Sequence, residues 1–268
     1  MTSEPTLAVP TLAITGASGR MGRAVVRLAR DAGLRIVCAV GQSDVGRDAG
    51  ELAGVGAIGV PVAAELELLA GAKATVLIDF SHPSATAAMA RAAAAAGSAI
   101  VSGTTGLDQE GQAALDLAAR SVPVLWEPNM SVGVHVLGAI VERAMAMLGL
   151  SFDVEITETH HRMKADAPSG TALRLAEAAA RARSALSATS RLAHGREGAP
   201  RSPEEIGMHA LRGGDVIGDH TVHLLGAGER LELTHRATSR ELFAQGALRA
   251  ALWLPGRPPG RHRIADMF

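Results

Sequence analysis

Two histidines and a lysine lie within five consecutive positions near the middle of the chain, at His160, His161 and Lys164. An imidazole gives or takes a proton near neutral pH, since its reference pKa is about 6.5. A lysine ammonium adds a compact positive charge with three hydrogen-bond donors. Lys73 is the only other lysine, so Lys164 stands where arginine is the usual cation of this chain. The spacing predicts a site that moves a proton beside a bound anion.

A helix start directly follows these side chains. Pro168 precedes Ser169, Gly170 and Thr171, and residues 172–183 continue with strong helix formers. The first turn of a helix exposes unpaired backbone N–H groups at the positive end of its dipole, which suits a carboxylate or a phosphate. The same residues also occur in ordinary strands and helix caps, so this segment alone leaves a site and a plain structural turn equally open.

We expect no zinc or other metal in this segment. His-x-x-x-His spacing is absent, and the single cysteine, Cys38, is far away in the sequence. Cys38 lies in the apolar run 35–40, which predicts a packed strand thiol rather than a nucleophile. One cysteine also excludes an intramolecular disulfide and fits a reducing compartment.

A short apolar strand, a glycine-rich turn and a helix follow one another over residues 11–31. In a dinucleotide-binding site, Gly16 would permit the tight turn, Gly19 would let the backbone approach a pyrophosphate, and Gly22 would allow close packing of helix on strand. Ser18 replaces the middle glycine of the commoner Gly-x-Gly-x-x-Gly motif. A plain tight turn is the alternative, but the flanking strand and helix favour the dinucleotide site.

The residues after the second strand leave the choice between NADH and NADPH open. An acidic residue usually holds the ribose hydroxyls of NAD at this point. Here the chain has Gly41-Gln42-Ser43, and the nearest acid is Asp44. Arg20 and Ser43 are candidates for contacts with a 2′-phosphate, so either cofactor is expected.

Strands and helices alternate over the first half of the chain. Strands are predicted at residues 11–15, 35–40, 74–80, 98–102 and 122–126, with helices at 83–96 and 108–120. This alternation predicts an α/β fold with a Rossmann-like, doubly wound parallel sheet. Ligands bind beyond the carboxyl ends of such strands. The segments predicted along that edge are 16–21, 80–82, 103–105 and 127–130.

The pattern changes after Asn129, which predicts a second domain of α+β class with a mixed open sheet. Its predicted elements are a helix at 131–148, strands at 152–157, 206–211, 216–225 and 230–234, and hairpin turns at Gly213-Gly214 and Gly226-Ala227-Gly228. A final helix is predicted at 240–252, and Trp253-Leu254 would pack it back on the first domain. The composition of residues 184–205 predicts a mobile surface loop. Apolar residues on more than one face of the strands suggest subunit packing across the open sheet.

Composition excludes several classes of protein. The chain has 268 residues, 47% hydrophobic and 20% charged, with only 2% aromatic, which fits a globular protein with an aliphatic core. A net charge of −1 argues against a general nucleic-acid or membrane surface. The apolar stretches are interrupted by polar residues, so no membrane span is expected. Residues 1–10 show no signal-peptide pattern, and we expect a cytoplasmic protein.

Taken together, the motifs resemble those of the 4-hydroxy-tetrahydrodipicolinate reductase (dihydrodipicolinate reductase) family of the diaminopimelate–lysine pathway. The most specific stretch runs from Glu158 to Ala172, Glu-Thr-His-His-Arg-Met-Lys-Ala-Asp-Ala-Pro-Ser-Gly-Thr-Ala. The other matching motifs lie at residues 16–22, 79–83, 103–106, 129–134, 212–220 and 243–247.

The resemblance implies a two-domain enzyme. Residues 1–129 and 239–268 would form the dinucleotide-binding domain, and residues 130–238 would bind substrate and form the subunit contacts of a homotetramer. The implied reaction transfers hydride from NADH or NADPH to a cyclic dicarboxylic imine and yields tetrahydrodipicolinate.

The resemblance also implies roles for residues that match the family's motifs. His160 and Lys164 would be the catalytic pair. The substrate carboxylates would be held by His161, Lys164, Ser169, Gly170 and Thr171. The cofactor site would be lined by Gly16, Ala17, Ser18, Gly19, Arg20, Met21, Phe80, Gly103, Thr104, Thr105, Glu127, Pro128, Asn129 and Met130.

Two departures from the family pattern affect only the cofactor site: Gly41-Gln42 stand where many members have an acid, and Glu127 stands where a small residue is common. Two other readings remain. One is another two-domain amino-acid-pathway dehydrogenase, which gives no reason for the segment 158–172. The other is a dinucleotide-sensing protein without turnover, which would bind the cofactor without oxidising it.

Overall fold

The computed structural model describes residues 9–268. The expectation that residues 1–10 hold no signal peptide therefore lies, apart from residues 9 and 10, outside the described part of the chain. The chain divides into two compact units. One unit ends at Ser131 and resumes at Glu241, and the other comprises Val132–Arg240.

The helices and strands alternate through most of the chain. In order they are β1 Thr11–Thr15, α1 Arg20–Asp31, β2 Arg35–Val40, α2 Ala49–Ala53, β3 Val62–Ala63, α3 Leu68–Ala72, β4 Val76–Asp79, α4 Thr86–Ala95, β5 Ala99–Ser102, α5 Gln109–Ala118, β6 Pro123–Trp126, α6 Val132–Leu148, β7 Asp153–His160, α7 Gly170–Ala185, β8 Arg191–His194, β9 Glu205–Arg212, β10 Gly218–Leu225, β11 Arg230–Ala237, α8 Glu241–Trp253 and β12 Gly260–His262. Short 3-10 turns occupy Pro83–Ala85, Gly149–Ser151 and Ile264–Met267.

The first unit is built on a seven-stranded sheet in the order β12-β6-β5-β4-β1-β2-β3, with every neighbouring pair parallel. Helix α1 packs on α8, and α4 packs on α5. Strands β4 and β5 are buried along their whole length, because a parallel sheet covered on both faces takes continuous apolar strands. The predicted Rossmann-like parallel sheet is confirmed.

The second unit has a five-stranded sheet in the order β11-β10-β7-β9-β8. Strand β7 is parallel to β9 and antiparallel to β10, so the predicted mixed sheet is also confirmed. Helices α6 and α7 pack on each other, and their apolar residues form a core with Val154, Ile156, Val222 and Leu224. Polar residues alternate with these along β7 and β10, as expected for a sheet with one buried face.

The predicted hairpin at Gly213-Gly214 is wrong. Strand β7 lies between β9 and β10, so the chain crosses the end of β7 instead of turning back beside β9. Backbone hydrogen bonds fix this crossing: the Gly213 N–H donates to the His160 carbonyl at 2.9 Å, and the Arg162 N–H donates to the Gly214 carbonyl at 3.3 Å. A glycine pair is compatible with a hairpin turn and with a crossing. The crossing is the one observed because it places β7 in the buried centre of the sheet.

Residues 184–205, predicted from their composition to form a mobile surface loop, contain regular structure in part. Helix α7 extends into this segment, and strand β8 within it pairs with β9. Arg191 and Arg196 each lie 2.7 Å from the Glu205 carboxylate, and Arg201 lies 3.0 Å from Glu155. The arginines of this segment are therefore held against the sheet by glutamates of β7 and β9.

In the described chain, one helix is long and apolar enough to cross a membrane by length and composition alone: Val132–Ser151, which is α6 with the turn after it. Its residues Leu137, Val141 and Met145 belong to the core of the second unit. A core helix passes the same test, so the expectation of no membrane span stays a prediction.

Candidate active site

A buried carboxylate organises the carboxyl edge of the parallel sheet. Asp79 ends β4 and is fully buried. It accepts five hydrogen bonds of 2.6–3.0 Å, from Thr15, Ser81 (backbone N–H and hydroxyl), Ser102 and Thr104. Because these partners belong to the ends of β1, β4 and β5, one side chain ties three neighbouring strand ends together.

The glycine turn after β1 has the close packing that its sequence predicts. A Cβ on Gly16 would lie 2.3 Å from the Phe80 carbonyl oxygen, and Gly16 has a φ of +71°. A Cβ on Gly22 would lie 2.2 Å from the Gly16 carbonyl oxygen. Gly19 precedes α1 and has no side chain to cap it, so the first N–H groups of α1 are open to an anion.

An open crevice of about 710 Å³ lies along this turn. Its lining residues are Thr15, Gly16, Ser18, Gly19, Val40, Gly41, Gln42, Ser43, Leu66, Phe80, Ser81, His82, Ser84 and Ala85. The glycine cradle, the uncapped helix start and the size of the crevice fit a dinucleotide. Asp44 pairs with Arg23 at 2.9 Å and with Arg47 at 3.1 Å, so two arginines already balance the negative charge of this carboxylate beside the crevice.

Two further segments predicted for the cofactor lie at adjacent strand ends. Residues 103–105 follow β5, and residues 127–130 follow β6. The Glu127 N–H donates to the Ser102 carbonyl at 3.1 Å, and the Trp126 indole donates to the Thr104 carbonyl at 2.9 Å. The structure therefore brings these segments together, although their contacts with a cofactor remain a proposal.

In the second unit, the predicted catalytic histidine ends the central strand. His160 is the last residue of β7, and its side chain is 9% exposed. The rings of His160 and His220 are in edge contact, with centroids 5.1 Å apart. His220 lies on β10. Strand β10 is a neighbour of β7 because the chain crosses the end of β7 after β9.

Glu158, two residues earlier on β7, has a side chain that is 1% exposed. Its Oε1 accepts a hydrogen bond from the Ser169 N–H at 3.0 Å and another from Arg212 Nη2 at 2.9 Å. Burial alone would raise the pKa of Glu158, but these hydrogen bonds outweigh it and lower the pKa below its usual value. Glu158 is therefore an anion that joins β7 to the start of α7 and the end of β9.

The predicted helix start is confirmed. Ser169 caps α7, and its hydroxyl accepts a hydrogen bond from the Ala172 N–H at 3.2 Å. The Ser169 hydroxyl also lies 3.2 Å from His220 Nε2. Gly170 and Thr171 form the first turn of α7, where backbone N–H groups face outward from the helix end.

Lys164 lies on the turn between β7 and α7. Its ammonium contacts both carboxylate oxygens of Asp166 at 2.8 Å. Arg212 holds this turn by donating to the Lys164 carbonyl at 3.3 Å and to the Asp166 carbonyl at 2.5 Å. His161 accepts the Lys164 N–H through its backbone carbonyl at 3.1 Å.

Burial disfavours the charged form of both histidines. Burial lowers the pKa of His160, Glu158 opposes that shift, and the charges of Lys164 and Arg212 add to it. For His220, burial and then the neighbouring His160 lower the pKa to about 4. Near neutral pH, His220 is therefore a neutral imidazole.

The sequence motifs include three further residues of this cluster, Glu158, Arg212 and His220, for which the sequence alone predicts no role. Within residues 9–268, Glu158, His160 and His220 are also a group with metal-ligand spacing, since their ligand atoms lie within 4.8 Å of one another. Zinc sites in proteins usually take four ligands. The expectation of no metal stays a prediction.

The fold and the two sites define a class of protein, the two-domain nicotinamide-dependent oxidoreductases. Residues 11–130 match a family described as dihydrodipicolinate reductase, N-terminus, and residues 133–268 match its C-terminus. The chain belongs to the dihydrodipicolinate reductase family. It is an NAD(P)H-dependent oxidoreductase of diaminopimelate and lysine biosynthesis.

Known proteins support this membership over nearly the whole chain. The 4-hydroxy-tetrahydrodipicolinate reductase of Anaeromyxobacter dehalogenans is 52% identical over 95% of this chain and 96% of its own. The reductase of Myxococcus xanthus is 50% identical with the same coverage. The dipicolinate-bound dihydrodipicolinate reductase from Paenisporosarcina sp. TG-14 shares the fold, with a TM-score of 0.76 at 23% identity over 97% of this chain and 100% of that chain.

Replacing Asp79 with alanine removes the acceptor of five hydrogen bonds in a buried position. We expect Asp79→Ala to lower the free energy of unfolding by about 3 kcal/mol or more and to weaken NAD(P)H binding, because the strand ends lose their common partner. Urea unfolding and a fluorescence titration with NADH measure the two effects. Asp116→Ala is the control, since that carboxylate is 67% exposed and its loss is expected to cost under about 0.5 kcal/mol. Equal effects of the two substitutions would contradict this role of Asp79.

The depressed pKa of His220 predicts a pH-dependent stability. The folded-state pKa is about 4 against an ordinary 6.5, so the unfolded chain binds the extra proton between these values. Stability is therefore fully present above pH 6.5 and is lost as the pH falls towards 4, by about 3 kcal/mol from this residue. Urea unfolding between pH 7 and pH 4 measures the slope, and His220→Gln should flatten it. An unchanged slope in His220→Gln would show that the titrating group is another residue.

Proposed function

We propose that this chain reduces 4-hydroxy-tetrahydrodipicolinate to tetrahydrodipicolinate with hydride from NADH or NADPH. The observation that carries the proposal is the grouping of the His160 imidazole, the Lys164 ammonium and the capped helix start at Ser169 in the second unit. A cyclic imine with two carboxylates needs a proton source, a cation and N–H donors, and this group supplies all three.

The first unit supplies the cofactor site. We assign the pyrophosphate to the turn Gly16–Met21 and the start of α1, where the glycine cradle leaves room for it. Phe80, residues 103–105 and residues 127–130 complete the lining. Bound there, the nicotinamide supplies the hydride, and the protein supplies binding and orientation.

The second unit holds the substrate. Lys164 gives up Asp166 for a substrate carboxylate, and this exchange costs little because the Asp166 side chain is 63% exposed and an exposed ion pair is worth at most about 1 kcal/mol. His161, Ser169, Gly170 and Thr171 hold the carboxylates together with Lys164. The dipole of α7 favours the anion at this end.

His160 supplies the proton. Loss of water from the 4-hydroxy compound leaves a conjugated imine, and hydride addition then leaves an electron pair that a proton must meet. The imidazolium of His160 gives that proton and is recharged from solvent. Because burial lowers the pKa of His160, its protonated ring gives up a proton more readily than an ordinary imidazolium does.

Subunit assembly and cellular location form the last part of the proposal. We assign a cytoplasmic homotetramer built through the open face of the five-stranded sheet. That face carries Thr157, Thr221 and His223, which are partly exposed in the single chain. Sedimentation equilibrium should give four times the chain mass of 27.5 kDa, and a monomer mass would remove this assignment.

A coupled assay tests the reaction. Pyruvate and aspartate semialdehyde are condensed by the preceding synthase, and the absorbance of NADH or NADPH is followed after this protein is added. Oxidation that depends on the condensed product supports the reductase and ranks the two cofactors. Cofactor binding without oxidation would instead support a dinucleotide sensor.

Removing the Lys164 ammonium should affect the substrate and spare the cofactor. We expect Lys164→Ala to lower kcat/KM roughly 10²-fold or more, with the Kd for NADH unchanged, because the proposed ligand of this cation is the substrate and not the cofactor. Steady-state kinetics and a cofactor titration measure both quantities. Lys73→Ala removes the other lysine, which is exposed on the first unit, and serves as the matched control. An equal loss of cofactor affinity in Lys164→Ala would count against this assignment.

Replacing His160 tests the proton source. His160→Gln keeps a polar side chain of similar size and is expected to lower kcat by roughly 10²- to 10⁴-fold. The measurement is kcat at saturating substrate and cofactor. A rate close to that of the unmodified enzyme would assign the proton to solvent.

A further inference from the structure

Two buried polar atoms in the second unit face each other. Glu158 Oε2 and His160 Nδ1 lie 3.0 Å apart. Neither atom forms an aligned hydrogen bond with any residue of the described chain. A buried carboxylate oxygen and a buried ring nitrogen are costly to leave without partners, and these two atoms lie within hydrogen-bonding distance of each other.

The Glu158 carboxylate cannot readily turn away from His160. Its other oxygen is held by the Ser169 N–H and by Arg212. Arg212 is in turn fixed to the Lys164 and Asp166 carbonyls. The orientation of Oε2 is therefore set by the Ser169 N–H and by an arginine side chain that two backbone carbonyls hold in place, rather than by a single flexible contact.

The opposite nitrogen of His160 faces a glycine. A Cβ on Gly218 would lie 2.9 Å from His160 Nε2 and 3.3 Å from Cδ2. The missing side chain leaves space beside Nε2, whereas Nδ1 is closed off by Glu158. The two ring nitrogens thus have different surroundings: a carboxylate on one side and a glycine without a side chain on the other.

We propose that Glu158 is the positioning residue of His160: it holds the proton on Nδ1, so that Nε2, beside Gly218, is the nitrogen that exchanges the catalytic proton. This proposal rests on the proposed role of His160 as the proton donor. The proton given to the substrate leaves Nε2 of the imidazolium, the ring remains neutral with its Nδ1 proton facing Glu158, and solvent restores the Nε2 proton. Glu158 stays ionised throughout the cycle.

The charges around His160 give the proposal a directional test. The groups that face the ring are Glu158 on β7, Lys164 and Asp166 on the following turn, Arg212 at the end of β9, and the neutral His220 on β10. Glu158 raises the pKa of His160 and Arg212 lowers it. Loss of either partner breaks the same Glu158–Arg212 ion pair, but the two losses act on His160 with opposite sign.

The test compares Glu158→Gln with Arg212→Gln. If His160 must be protonated to act, kcat/KM falls as the pH rises through its pKa. Glu158→Gln should move that fall to lower pH, and Arg212→Gln should move it to higher pH. Glu158→Gln should also lower kcat roughly tenfold to a hundredfold, less than loss of the imidazole itself.

Nitrogen-15 NMR of histidine-labelled protein reads the tautomer without substrate. The signal of His160 is assigned by its loss in His160→Gln. We expect the Nδ1–H form in the unmodified protein and a mixture of tautomers in Glu158→Gln. Because this readout needs no turnover, a failure of the proposed reaction would not be mistaken for a failure of the positioning role.

Two further variants complete the design. Glu155→Gln removes a carboxylate from the same strand but its opposite face, where Glu155 lies 2.6 Å from His209, and should leave the titration of His160 unchanged. Gly218→Ala keeps every hydrogen-bonding group and fills the space beside Nε2, so it should lower kcat with the Nδ1–H tautomer retained. Shifts of the same sign in Glu158→Gln and Arg212→Gln, or an Nε2–H tautomer in the unmodified protein, would overturn the proposal.

Discussion

The second unit depends on a buried negative charge that water cannot solvate. A buried carboxylate destabilises a protein by several kcal/mol unless charged and hydrogen-bonding partners surround it. Glu158 meets this requirement with the start of α7, the end of β9 and the histidine two residues along its own strand. The partners are therefore fixed in space by the needs of the charge, and the proton donor and the anion site are fixed with them.

The first unit solves a similar problem with Asp79. Its carboxylate ends a central strand and accepts hydrogen bonds from neighbouring strand ends, which holds the loops of the cofactor edge in place. In both units a buried acid at the end of a strand orders flexible segments around it. Each proposed site thus lies at the ends of regular strands and helices, and the loops that follow them supply further groups for ligand contact.

The sequence predicts what depends on local patterns and misses what depends on pairing between distant strands. The strands and helices of the first unit follow from alternation and apolar runs, and the cap at Ser169 follows from its residue types. The residues Gly213-Gly214 are typical of a hairpin turn, yet β7 lies between the two strands that flank this turn. The roles of Glu158, Arg212 and His220 arise only from that crossing. Glu158 lies 54 positions from Arg212 and is paired with His220 across strands that local sequence does not pair.

The central claim is that hydride passes from the nicotinamide to the cyclic substrate while this chain provides the proton. A single-turnover reaction with cofactor carrying two deuterium atoms at C4 of the nicotinamide tests it most directly, with the product analysed by mass spectrometry. The account predicts tetrahydrodipicolinate that contains one deuterium, since hydride transfer moves one of the two labelled atoms. A product without deuterium, or no product while the cofactor stays reduced, would contradict the account.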